Sequence, residues 1–130
     1  MSLHSHTRVF VHITWGTKYQ RKSIAKPLRI SLNKFLKEKA QEQSIHLVTS
    51  FVNADHVHAL IELPADRSIA SVVKTLKGTS SRWLNQHPDQ HFKFSWQRGY
   101  GAFSVSHSAL KIVKRYINNQ EEHHHPTSVG

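Results

Sequence analysis

Asp55-His56-Val57-His58-Ala59-Leu60-Ile61-Glu62-Leu63 sets two imidazoles two residues apart inside an apolar run. In an extended chain, residues i and i+2 point to the same side and neighbours point to opposite sides. As a strand, this stretch projects His56 and His58 side by side, able to share one metal ion, while Val57, Ala59, Ile61 and Leu63 cover the other face and anchor it in a core. Upstream, Ile45 to Val52 is another β-rich run, joined to the first by the turn-prone Asn53-Ala54-Asp55, so the two read as an antiparallel hairpin.

Outward from the hairpin, Arg8 to Trp15 alternates, with Val9, Val11, Ile13 and Trp15 on one face and Phe10, His12 and Thr14 on the other. A basic turn follows, with Lys18, Arg21, Lys22 and Lys26; Pro27 then suits the first turn of a helix whose Leu28, Leu32, Phe35 and Leu36 recur at helical spacing. After Pro64, Ser68 is placed to cap a second helix, with an apolar stripe of Ile69, Val72, Val73, Leu76, Trp83 and Leu84. Gly78 inside it implies a close packing or ligand approach. A fourth strand is expected at Ala102 to Ser106, then a last helix through Leu110, Ile112, Val113, Tyr116 and Ile117, capped by Ser106 or Ser108. The order β-α-β-β-α-β-α fits an α+β fold: a split βαβ antiparallel sheet of the ferredoxin-like type, helices against one face, with an added C-terminal helix carrying the tyrosine. No linker or repeat is visible, and residues 1–130 read as a single domain.

With 12 histidines in 130 residues, about one His-x-His is expected by chance. His4/His6 and His123/His125 repeat the spacing near the two ends, whereas His56/His58 alone is embedded in strand-like alternation. Eighteen Lys and Arg against 8 Asp and Glu give a formal net charge of +10, which favours a polyanionic partner, nucleic acid first. The absence of cysteine excludes a disulfide framework and a thiolate zinc site. No apolar run is long enough to span a bilayer and no secretory h-region is present near Met1, so the expected location is cytoplasmic and nucleoid-associated, away from membranes.

On the last helix, Tyr116 and Gln120 are four residues apart and share a face. Taken alone, Tyr116 reads as a core tyrosine and Gln120 as a solvated helix end. Taken with the histidine pair, they offer a phenol nucleophile and a neutral oxygen ligand; two imidazoles and one amide suit Mg²⁺ or Mn²⁺ shared with phosphate oxygens better than a closed zinc site.

Several segments together resemble the single-tyrosine transposases of the HUH nuclease superfamily, including the REP-associated tyrosine transposases. They are Thr17-Lys18-Tyr19; Asp55-His56-Val57-His58; Leu76-Lys77-Gly78-Thr79-Ser80-Ser81-Arg82; Trp96-Gln97-Arg98-Gly99-Tyr100-Gly101 with Ala102 to Ser106; and Tyr116-Ile117-Asn118-Asn119-Gln120 with His123-His124. Ala54 stands where that family often has proline. The resemblance implies His56 and His58 as paired metal ligands, Gln120 as the third, Tyr116 as nucleophile, and Mg²⁺ or Mn²⁺ as cofactor. It implies cleavage and rejoining of single-stranded DNA at hairpin-marked ends through a 5′-phosphotyrosine link, in a homodimer with composite sites. Lys18, Arg21, Lys22, Lys74, Lys77, Arg82, Arg98, Lys111, Lys114 and Arg115 could then follow the phosphate backbone, while Trp15, Trp83, Trp96 and Tyr100 offer rings, with core packing favoured for Trp15 and Trp83. Two other readings stand beside this one: a former transposase kept by its host to process repeated hairpins, and a non-enzymatic single-strand-binding module of the same fold.

Overall fold

A computed structural model of the protein describes residues 8–120; His4, His6, His123, His124 and His125 lie outside the described residues. The chain forms β1 (Phe10–Gly16), α1 (Lys26–Glu42), β2 (His46–Val52), β3 (His56–Glu62), α2 (Ile69–Gln86), β4 (Gly101–Val105) and α3 (Leu110–Asn118), in the expected order, with short 3-10 turns at Lys18–Gln20 and His107–Ala109. The four strands make one antiparallel sheet in the order β2-β3-β1-β4. This is the α+β, split βαβ arrangement.

Strand alternation gives the sheet two faces. Val11, Ile13 and Trp15 of β1 and Val57, Ala59 and Ile61 of β3 point to one side and bury against Leu28, Leu32 and Leu36 of α1 and Val72, Val73, Leu76 and Leu84 of α2. Each buried Val, Leu and Ile among them contributes about 1.5–3 kcal/mol by leaving water, so this stripe fixes the sheet's orientation. Pro27 sits in the first turn of α1, and Ser68 caps α2 by accepting the Ser71 N–H at 3.0 Å.

The opposite sheet face carries Phe10, His12, Thr14, His56, His58 and Leu60, and α3 packs there. Ile117 is wholly buried, and Thr49 Oγ1 of β2 donates to Asn118 Oδ1 at 2.5 Å. Two local expectations are corrected. Neither Ser106 nor Ser108 caps α3: the Ala109 N–H bonds the Ser106 carbonyl across a 3-10 turn, and the two serine hydroxyls pair with each other at 3.1 Å. Gly78 is not a point of close packing, because a Cβ there would meet nothing within 4 Å.

Candidate active site on the open face of the sheet

The register of β1 against β3 sets Thr14 opposite His58 and Gly16 opposite His56. Both imidazoles emerge on the α3 side, and their Nε2 atoms lie 3.0 Å apart. Their Nδ1 atoms are engaged behind: His56 Nδ1 donates to the Asp55 carboxylate at 2.6 Å, and His58 Nδ1 meets His12 Nε2 at 2.9 Å. The His12 and His58 rings stack at 5.1 Å. Burial pushes the His12 imidazole below its ordinary value. Such partners on Nδ1 hold an imidazole in one orientation, with Nε2 on the opposite side of the ring. Asn53 closes the group, its amide nitrogen 3.0 Å from His56 Nε2.

Tyr116 reaches the same face from α3, with its ring 6.1 Å from that of His58 and 6.5 Å from that of His12. It is 44% exposed, whereas Gln120 is fully buried and its amide donates to the Tyr116 carbonyl at 3.2 Å. Both isolated readings are thereby reversed: the tyrosine is the accessible residue and the glutamine the core one. Beside the histidines opens a cleft of about 420 Å³, lined among others by Thr14, Gln20, His56, His58, Arg98 and Tyr100. Gly101 also borders it, and a Cβ at Gly101 would stand 2.8 Å from Thr14 Oγ1, so a side chain there would have to push Thr14 Oγ1 aside.

The two Nε2 atoms lie within hydrogen-bond distance of each other, and a cation held between them would take the lone pair of each in place of that contact. Among the described residues no set of three His, Asp or Glu side chains converges as a metal site, so a third protein ligand would have to be a neutral oxygen such as that of Gln120. Asn53 addresses the lone pair that a metal would take from His56, and would have to turn its amide to admit one.

The cations take different places. Lys18, Arg21 and Lys22 are exposed on the segment after β1, Arg98 at the cleft, and Lys111, Lys114 and Arg115 on the helix that carries Tyr116. Lys74 and Arg82 are exposed on α2, in the layer behind the sheet. Lys77 is engaged as a brace: its ammonium donates to the carbonyls of Gln97 at 2.8 Å and Gly99 at 2.9 Å, and burial lowers its pKa. Trp96 is likewise structural, its indole N–H bonding Ser80 Oγ at 3.0 Å, while Trp15 is buried and Trp83 stacks on Phe35. Tyr100 remains exposed at the cleft.

Sequence reasoning passed over His12, Asn53 and Asp55 as members of the site. For His12 a signal existed, since it occupies the second face of the first alternating run; pairing that run with the His56 strand would have placed the two together.

The pattern of the family described as "Transposase IS200 like" matches residues 5–120 of the chain. A transposase for insertion sequence element IS200 from Salmonella typhimurium is 32% identical over 116 residues, covering 85% of this chain and 76% of the relative. The ISDra2 transposase TnpA of Deinococcus radiodurans is 27% identical over 116 residues, covering 85% and 83%. Among solved structures, a putative transposase from Deinococcus radiodurans R1 superposes with a TM-score of 0.69 at 27% identity, covering 92% of this chain and 96% of its own. The REP-associated tyrosine transposase bound to a REP hairpin gives the same TM-score at 14% identity, covering 96% and 75%, a likeness of fold. With the family pattern spanning all of the described residues, the chain belongs to the IS200-like transposases.

Proposed function

We propose that this protein cleaves and rejoins single-stranded DNA beside hairpins, with Tyr116 as nucleophile and His56, His58 and Gln120 as ligands of Mg²⁺ or Mn²⁺. The observation that carries the reading is the meeting, within one chain, of an accessible phenol with two imidazoles whose Nε2 atoms converge. The Tyr116 oxygen attacks phosphorus as the P–O3′ bond breaks, leaving a 5′-phosphotyrosine and a 3′-hydroxyl; the proton lost by the phenol is matched by the one the 3′-oxygen takes up. Attack by another 3′-hydroxyl reverses the step and releases Tyr116. A divalent cation held by these residues would supply charge stabilisation to the phosphate under attack. Asp55 and His12 serve by fixing the two ligand rings from behind.

Hairpin DNA as the partner is supported by the same-fold transposase bound to a REP hairpin, and a polyanion by the charge of +10. Tyr116 and His58 lie close within one chain, which favours attack in the same subunit; a homodimer with composite sites would exchange α3 between subunits. No helix among the described residues is long and apolar enough to cross a membrane.

Incubation with Mn²⁺ and single-stranded hairpin DNA should give a denaturation-resistant protein–DNA adduct that disappears in Tyr116→Phe. Tyr100 is the competing candidate, since it lines the histidine cleft. An adduct that survives Tyr116→Phe and is lost in Tyr100→Phe would refute the assignment of Tyr116, and the lack of any adduct with the wild-type protein would refute the enzymatic reading.

A further inference from the structure

Next to the histidine cleft lies a second groove, of about 220 Å³, lined by Lys18, Tyr19, Arg21, Ser23, Phe92, Lys93, Phe94 and Ser95. We propose that it is a stacking groove for unpaired bases of the DNA strand that continues past the histidine cleft, with Tyr19 and Phe92 as the platforms and Lys18, Arg21 and Lys93 as phosphate contacts. The inference rests on the strand-transfer reading and adds to it where the flanking strand runs.

Three observations meet here. Tyr19 is 70% exposed and Phe92 57% exposed, two large apolar side chains left in water on the walls of one groove. Tyr19 and Gln20 hold φ angles of +60° and +55°, a left-handed conformation that a tyrosine rarely adopts. The segment is locked in it by hydrogen bonds: the Lys18 N–H donates to the Ser95 carbonyl at 3.1 Å, the Tyr19 N–H donates to Gln97 Oε1 at 3.2 Å, and the Thr17 hydroxyl donates to the Arg21 carbonyl at 2.6 Å. This conformation presents the ring to solvent without burying it. Finally, the lining holds three cations and no carboxylate, with Lys18 Nζ 5.4 Å and Arg21 Cζ 5.3 Å from the Tyr19 ring centroid.

Aromatic rings interleaved with cations suit single strands, since every base has a face to stack and each phosphate needs a counter-charge. An exposed cation–π contact is worth about two- to fivefold in an equilibrium constant, and a base stacked on an aromatic ring roughly five- to 150-fold. A base therefore displaces one of the cations from the ring and frees it for a phosphate. Continuity with the site comes from Gln20: it lines the histidine cleft while its neighbours Tyr19 and Arg21 line the groove.

The test compares a hairpin carrying single-stranded arms on both sides with the same hairpin lacking arms, by fluorescence anisotropy on the full chain. Tyr19→Asn is the informative variant, because asparagine tolerates the left-handed backbone and its melting temperature checks the fold. The armed-to-armless affinity ratio should fall at least fivefold in Tyr19→Asn and in Phe92→Ala, and Tyr19→Phe should restore it. Arg21→Gln should flatten the salt dependence on armed DNA by about 0.7 in log–log slope, the share of one single-strand phosphate. Ratios within twofold of wild type in both Tyr19→Asn and Phe92→Ala overturn the proposal, as does equal loss on the two DNAs. Adduct formation with Mn²⁺ is scored in parallel. An adduct formed while arm binding shows no Tyr19 dependence removes the groove alone, Tyr19-dependent arm binding without an adduct removes the chemistry alone, and binding of neither DNA removes both.

Discussion

His12→Ala is the perturbation that most directly tests how the site is built. It deletes the nitrogen 2.9 Å from His58 Nδ1, and His58 is only 7% exposed, so water replaces the lost partner poorly. An orphaned buried polar group costs about 1–3 kcal/mol. For a chain of this size each kcal/mol lowers the melting temperature by about 3–5 °C, so a drop of about 3–15 °C is expected. A double-mutant cycle with His58→Phe should return a coupling of about 0.5–3 kcal/mol, because the two rings act through one contact. The functional consequence is of the same size as the structural one. With its back partner gone, His58 can rotate, and loss of such a partner typically lowers metal affinity about 10–100-fold. Mn²⁺ binding by titration calorimetry, in the absence of DNA, reads this without reference to turnover. A His12→Ala protein that melts with the wild type, couples to His58 by less than about 0.3 kcal/mol and binds Mn²⁺ within twofold of it would refute the claim that His12 holds His58.

Other outcomes follow from the same coordinates. Gly78→Ala should stabilise the protein by about 0.5–1 kcal/mol, since the added methyl meets nothing and the helix gains propensity; chemical denaturation measures it, and a loss of stability would show that the helix surface is contacted after all. Gly101→Ala should destabilise by about 1–3 kcal/mol, because its Cβ would press on Thr14 Oγ1 and Phe103. Ile117→Ala should cost about 2–5 kcal/mol and loosen α3, so adduct yield should fall with stability; full yield at reduced stability would separate the two. The Glu62 carboxyl is held below its usual range by hydrogen bonds first from Arg8 and then from His46. A depressed carboxyl pKa contributes stability that is present above the unfolded value and lost as pH falls through the folded one. Glu62→Gln should therefore lose at most about 1 kcal/mol at neutral pH, as surface ion pairs do, and nothing once acid has protonated Glu62 in the wild type. A penalty independent of pH would assign Glu62 a packing role.

What the sequence determined by itself is what short-range periodicity carries. Alternation of two is a property of the strand backbone, so the placing of Val57, Ala59 and Ile61 against the core and of His56 and His58 on the other face needed no partner. The helical stripes of α1 and α2 and the serine cap of α2 were legible for the same reason. Tertiary structure decided what depends on which elements lie side by side. His12 and His58 are 46 residues apart and meet because β1 lies beside β3 in a register that puts Thr14 against His58. Lys77 was legible as a cation, but the loop at Gln97 to Gly99 turned it into a brace. The spacing of Tyr116 and Gln120 placed them on one helical face, yet the roll of α3 on the sheet, set by Ile117 and by Asn118 against Thr49, exposes the phenol and buries the amide. Periodicity says which residues share a face; only packing against the rest of the chain says how that face is turned.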